Sequence, residues 1–301
     1  MALFSLNQIK KLQLIYFPFL KVAISFIGIY TFLHWYFIIH LVLFSLHENI
    51  INFWLPICLP WIFVWIILRP KVKLLNLEHK HFKLSEFSIF IMASSLIIPT
   101  IIAQQYIVTA TGYLTNLNNI SEISKNQPSK YYSLKNSFID KKHININSFV
   151  MTSGKRNRDF NMYIYIALPI LKNEADTIER HCENWYGIKY FQTISNKKSN
   201  EEKQSKYEEF IAKSYSNFDS LDVRKFIYLD KIGFVDDRER FMSSIKNNRH
   251  FESNSPILLL PVNQPFEDRN GNKFLWFLGS FTSISSFFFL FLLKRDLNKV
   301  E

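Results

Sequence analysis

Two histidines inside a run of apolar residues are the first places where this sequence could do chemistry. His34 and His40 lie within residues 22–46, among neighbours such as Phe32, Leu33, Trp35 and Ile38. An ionisable side chain at membrane depth is costly and is a functional hypothesis by default. Other apolar runs offer Ser94, Ser95, Thr100, Ser283, Ser285 and Ser286 at similar depth. An imidazole that takes a proton from one of these hydroxyls would activate a nucleophile for hydrolysis. The competing expectation is a neutral imidazole that donates to a serine or a backbone carbonyl on a facing helix. No motif favours the catalytic version, so no residue is assigned a catalytic role.

The remaining candidates are weaker. His181 and Cys182 are adjacent, and neighbours on one element point apart, so a nucleophile–base pair would need His143 or His250 from elsewhere. A metal site built from His143, His181, Cys182 and His250 lacks any ligand-spacing motif, and no metal is expected. The seven glycines are too far apart to form a phosphate or dinucleotide loop, so no cofactor is expected. Glu174, Asp176, Glu179 and Glu183, with Arg180 among them, read as a solvated face. The net charge of +11 is spread with mixed signs and forms no clustered basic motif, so nucleic acid is not an expected partner. The two cysteines, Cys58 and Cys182, fall in an apolar run and in a polar stretch, so they are not expected to pair.

These residues belong to a chain of two unlike populations. Apolar types make up 48% of the 301 residues, yet the mean hydropathy is +0.00. Four apolar runs, at 22–46, 52–68, 87–108 and 274–293, approach the roughly 20 residues that cross a bilayer core. A polar stretch separates the third from the fourth. Residues 1–21 resemble a signal peptide in charge. However, the apolar run after them is too long and lacks a small-residue cleavage site, so they read as part of an uncleaved anchor preceded by a short interfacial helix.

Charge sets the expected orientation. Lys10, Lys11 and Lys21 precede the first run. Arg69, Lys71, Lys73, Lys80 and Lys83 follow the second, and Lys294, Arg295 and Lys299 follow the fourth. The loop between the first two runs has neither Lys nor Arg. Basic loops stay cytoplasmic, so both termini are expected inside and the polar stretch outside, at a bacterial inner membrane. Trp54, Trp61, Trp65 and Trp276 fit interfacial positions, and Pro56, Pro60 and Pro99 are expected to kink their helices.

The polar stretch reads as strands first and helices late. Leu114, Leu117, Ile120 and Ile123 recur every third residue and suggest an amphipathic helix. Strands are expected at 131–139, 144–152, 160–171, 185–194, 225–229 and 256–262. Ser199 with Glu202 forms a capping box before one helix, and acids open a second at 236–247. That order implies an α+β fold with an antiparallel or mixed sheet. On the fourth run, Gly279, Ser283 and Ser286 recur at i, i+4 and i+7. They read as the seam packed against the other helices, with Phe281, Ile284 and Phe288 facing lipid.

Several segments carry a resemblance. Asn52-Phe53-Trp54-Leu55-Pro56, Leu59-Pro60-Trp61 and Pro99-Thr100-Ile101-Ile102-Ala103-Gln104 resemble the hydrophobic region ahead of the protease core in some bacterial rhomboid-family membrane proteins. So do Ser153-Gly154-Lys155, Phe160-Asn161-Met162, Trp185-Tyr186-Gly187-Ile188-Lys189-Tyr190, Ile194-Ser195-Asn196-Lys197 and Asp268-Arg269-Asn270-Gly271-Asn272-Lys273. The rhomboid core carries a Gly-x-Ser-Gly motif, and this chain has none. The resemblance therefore implies an accessory or sensory region, or a shortened relative without protease function.

The sequence thus describes a multi-span α-helical membrane protein with four transmembrane helices and an inserted α+β extracytoplasmic domain. Residues 1–108 hold the first three helices, 109–273 the domain, and 274–301 the last helix and tail. The expected function is non-catalytic. The domain would bind or sense a protein, a peptide or an envelope component, and the bilayer is the other partner. The alternative is a membrane-embedded hydrolase using His34 with a serine.

Overall fold

The computed structural model describes residues 5–41, 43, 47–75, 84–176, 182–246 and 256–295. Lys80, Lys83, Glu179, Arg180, His181, His250 and Lys299 lie outside the described residues. In chain order the elements are α1 (Leu6–His40), α2 (Ile50–Val72), α3 (Leu84–Ala110), β1 (Leu114–Leu117), β2 (Tyr131–Leu134), β3 (Phe138–Ile139), β4 (Asn145–Ser153), β5 (Asp159–Leu171) and β6 (Asn184–Ser195). There follow α4 (Asn200–Ser220), β7 (Tyr228–Lys231), α5 (Asp236–Lys246), β8 (Ile257–Val262) and α6 (Lys273–Leu293). They form two compact units, Met1–Thr111 with Glu267–Glu301, and Gly112–Phe266.

The first unit is helical. α1, α2, α3 and the run Phe266–Leu293 that contains α6 are each long and apolar enough to cross a membrane. α1 starts far earlier than residue 22. Ser5 and Gln8 form a capping box at its N-terminus, and the helix runs unbroken to His40. Lys10, Lys11 and Lys21 interrupt the apolar run but not the helix, because lysine is a good helix former. Wide π turns occur in α1 at Leu12–Tyr16 and His34–His40, and in α2 at Ile50–Trp54 and Val64–Leu68, on either side of Pro56 and Pro60. Such local adjustments let a proline-containing helix keep its backbone groups satisfied. The core joins Ile15, Phe19 and Ala23 of α1 with Val64 and Leu68 of α2, Ile91, Met92 and Leu96 of α3, and Phe288 and Leu292 of α6.

α6 packs along α3, as a chain returning from an insertion should. The face it uses is the opposite of the one read from sequence. Phe288 is fully buried, with its ring edge-on to Phe19 at 4.9 Å, and Ser285 and Leu292 are buried beside it. Gly279, Ser283 and Ser286 are exposed, and a Cβ at Gly279 would meet nothing within 4 Å. The small-residue rule fails here because aromatic rings from α1 and α6 interlock and fill the seam.

The second unit is a mixed sheet between two helices. Its strand order is β1-β2-β7-β8-β6-β5-β3, and β4 also pairs with β5. Most neighbours are antiparallel, while β1 with β2 and β6 with β8 are parallel. β5 is the central strand, and its alternation separates two cores. Met162, Ile164, Ile166, Leu168 and Ile170 face α4, where Phe210 and Phe218 complete one cluster. Tyr165 and Ala167 face α5, where Phe241, Ile245, Trp185 and Leu258 complete the other. Gly187 permits that second cluster, because a Cβ there would lie 2.7 Å from Leu260 Cδ2. The capping box of α4 forms between Ser199 and Glu202.

Two local readings are corrected. Residues 109–123 are not an amphipathic helix. α3 ends at Ala110, β1 follows, and Ile120–Glu122 is a 3-10 turn. A 3-10 turn has 3.0 residues per turn, which sets Ile120 and its cap Ile123 on one side, while Leu117 closes β1. Residues 131–139 are not one strand, because β2 pairs with β1 and β7 whereas β3 pairs with β5.

Candidate functional site

The histidine singled out first sits in a closed polar cluster. His34 is buried, and its Nδ1 lies 2.6 Å from Gln104 Oε1. An amide oxygen only accepts, so Nδ1 carries the proton and donates. Gln104 Nε2 in turn donates to Thr31 Oγ1 at 3.0 Å and to Thr100 O at 3.1 Å. The partner is therefore an amide on α3 and not a serine. Ser95 donates to Met92 O at 2.7 Å within its own helix, Ser94 is half-buried, and Ser283 is exposed. His40 is exposed and stacks on Trp35 at 5.5 Å. The cluster clamps α1 to α3, and among the described residues no serine hydroxyl bonds to the His34 ring.

The candidates in the second unit are also structural. Cys182 is buried, donates to Asn184 O at 3.2 Å, and burial pushes its thiol up to about 11. A raised pKa keeps the thiol protonated at neutral pH, and the thiolate is the reactive form. Iodoacetamide at pH 8 is expected to leave Cys182 unmodified in the folded protein and to label it after denaturation, as read by peptide mass spectrometry. Labelling of the native protein at the denatured rate would contradict the burial argument. His143 Nδ1 sits 2.7 Å from Asp140 Oδ2, and the same carboxylate accepts Lys142 N at 2.8 Å, which is a local turn. Among the described residues no cluster of His, Cys, Asp or Glu could hold a metal.

A feature that sequence reading missed lies on the α5 side of the sheet. β4, β5 and β6 form a three-stranded blade whose register places Phe149 opposite Tyr163, and Tyr163 opposite Phe191. The rings stack across the strands. The Phe149 and Tyr163 centroids lie 5.0 Å apart with planes 11° apart, and Tyr163 and Phe191 lie 4.8 Å apart. The Arg240 guanidinium sits 4.2 Å over the Phe149 ring.

The neighbouring row is sealed by α5. Tyr165 donates to Asp237 at 2.5 Å, and Lys189 donates to both Asp237 oxygens at 2.7 and 2.9 Å. Burial and then Asp237 raise the Tyr165 pKa, so the phenol stays a donor. Asp237 is thereby held between the Tyr165 phenol and the Lys189 ammonium.

α5 stops short of Phe191, which is 54% exposed, and Met151, on the same face of β4 as Phe149, is 45% exposed. Aromatics, methionine and arginine are the residue types enriched in protein interfaces. Each strand's alternation was legible, but the row depends on pairing between distant segments. The signal available in sequence was an aromatic at an outward position in three successive strands.

Compared with protein-family models, curated proteins and solved structures, this chain matches none.

Proposed function

We propose that this chain is an integral membrane protein whose sheet domain binds a protein partner on the extracytoplasmic side. The observation that carries the reading is the stacked row Phe149–Tyr163–Phe191, with Arg240 over the half-buried Phe149 at one end and Phe191 exposed at the other. Stacked aromatics are rigid anchors, and desolvating them supplies most of the energy at an interface hot spot.

The membrane part of the proposal rests on the four apolar helices and on where their charges gather. Lys11 Nζ donates to Leu293 O at 3.2 Å and also to Arg295 O, so the start of α1 and the end of α6 lie together. Val72, at the end of α2, packs in the same cluster as Ile15 and Leu292. Lys10, Arg69, Lys71, Lys73, Lys294 and Arg295 thus belong to one end of the helical unit. The positive-inside rule assigns that end to the cytoplasm.

The test is photo-cross-linking in whole membranes with benzoylphenylalanine in place of Phe191 or, as a control, of exposed Glu208. A discrete adduct at position 191, absent at 208 and reduced at least fivefold by Tyr163→Ala, supports the face as a recognition surface. Equal adducts at both positions, or none at 191, would reject it.

A further inference from the structure

We propose that α1 carries a docking face for a transmembrane helix of a different protein, and that Lys21 on this face pairs with a carboxylate at the middle of that helix. The proposal rests on the membrane-embedded reading of the helical unit and not on the ring row of the sheet domain. Two contacts fix the height of Lys21 in the bundle. Lys11 Nζ donates to the carbonyls of Leu293 and Arg295, so Lys11 is level with the end of α6. The Tyr30 hydroxyl donates to Ile51 O at 2.6 Å, so Tyr30 is level with the start of α2. Lys21 is ten positions from the first and nine from the second. At a rise of about 1.5 Å per residue, it lies about 15 Å from one level and about 14 Å from the other. The hydrocarbon core is about 30 Å thick, so Lys21 sits near its midplane.

Nothing among the described residues answers that charge. α1 packs inward through Ile15, Phe19, Ala23, Phe26 and Ile27. Lys21 is on the opposite side, exposed, between Phe17 and Ile24, which are 49% and 60% exposed. Among the described residues no hydrogen bond or ion pair reaches its ammonium. Cations near helix ends snorkel to the interface, but a four-carbon stem is too short to lift an ammonium there from the midplane. Ionisable side chains at this depth are costly, and where they occur they pair with one another and mark functional surfaces.

Charge selects the occupant. The complement of an ammonium is a carboxylate, and their attraction is far stronger in a low-dielectric medium than in water. The apolar runs 12–41, 50–68, 87–110 and 274–293 contain no Asp or Glu. A second copy of this chain would therefore bring another ammonium to the same depth and no counter-charge, so the partner is a different chain. The surface around Lys21 also suits a helix. Ser25 and Gly28 follow it at i+4 and i+7 on the same side, both exposed, and a Cβ at Gly28 would meet nothing within 4 Å. Residues so spaced are neighbours on one helix face, and small ones let a second backbone approach closely.

The experiment reconstitutes the full chain in phosphatidylcholine liposomes and adds a leucine-rich transmembrane peptide with one central aspartate. A dansyl group on the peptide accepts energy from the tryptophans of the chain. Association is expected to be tenfold or more tighter than for the all-leucine peptide. Lys21→Leu should remove that difference, Lys21→Arg should keep most of it, and Gly28→Leu should weaken association at least threefold. Equal association of the two peptides, or an aspartate preference that survives Lys21→Leu, would overturn the proposal. So would a Lys21→Leu effect seen only on the recruitment of labelled phosphatidylglycerol, which would make a lipid headgroup the occupant. Flotation with the liposomes is scored first. A chain left in the aqueous fraction would overturn the membrane reading and the proposal with it, whereas a floating chain without the aspartate preference would overturn the proposal alone.

Discussion

Phe288→Ala is expected to destabilise the helical unit in detergent by about 3 kcal/mol, the order seen when a buried ring is cut back to a methyl. Phe288 is fully buried, and it meets Phe19 at 4.9 Å and Tyr16 at 6.4 Å. Lipid tails are as apolar as these rings, so burial as such contributes little between helices, and the loss is one of packing and van der Waals contact. Gly279→Leu, on the exposed face, should change stability by less than about 0.5 kcal/mol. Thermal unfolding followed by circular dichroism measures both. A larger loss for Gly279→Leu than for Phe288→Ala would show that the exposed small-residue face carries the packing.

Trp185→Ala should cost the sheet domain about 3–5 kcal/mol. Trp185 is fully buried at the parallel join of β6 with β8, opposite Leu258. Its Nε1 donates to Cys182 O at 3.1 Å, so truncation also strands a carbonyl beside the cavity. Marginal stability is typically about 5–15 kcal/mol, so the substitution removes a large share of it. Urea titration of the full chain, monitored by the far-ultraviolet circular dichroism of the sheet, should show an earlier midpoint. Trp185→Phe should recover most of the loss. A midpoint unchanged in Trp185→Ala would mean that the second core does not hold the sheet together.

Much of the fold was readable from single elements. β4, β5, β6 and β8 lie within one residue of the strands read by alternation, because each has at least one buried face. α4 and α5 were marked by a capping box and by acids in the first turn. What failed was whatever depends on a neighbour. The face of α6 was assigned by residue size, but Phe19 and Tyr16, more than 260 positions away, decide which side is buried. The partner of His34 was sought among serines, yet Gln104 stands opposite it, and nothing in the spacing of α1 points to α3. The aromatic row exists only through the register of β4, β5 and β6, so its members look like ordinary strand residues when read singly.

The Lys11 contact has a consequence for synthesis. Its ammonium finds its acceptors 282 and 284 positions later, at Leu293 and Arg295. Translation at roughly 5–20 residues per second leaves an interval of roughly 15–60 s between the lysine and its carbonyls. Through that interval α1, α2 and α3 exist without α6, and neither of these two carbonyls has been made. The contact therefore joins the start of the first of the four apolar helices to the end of the fourth, and it forms only after the whole sheet domain between them has been synthesised.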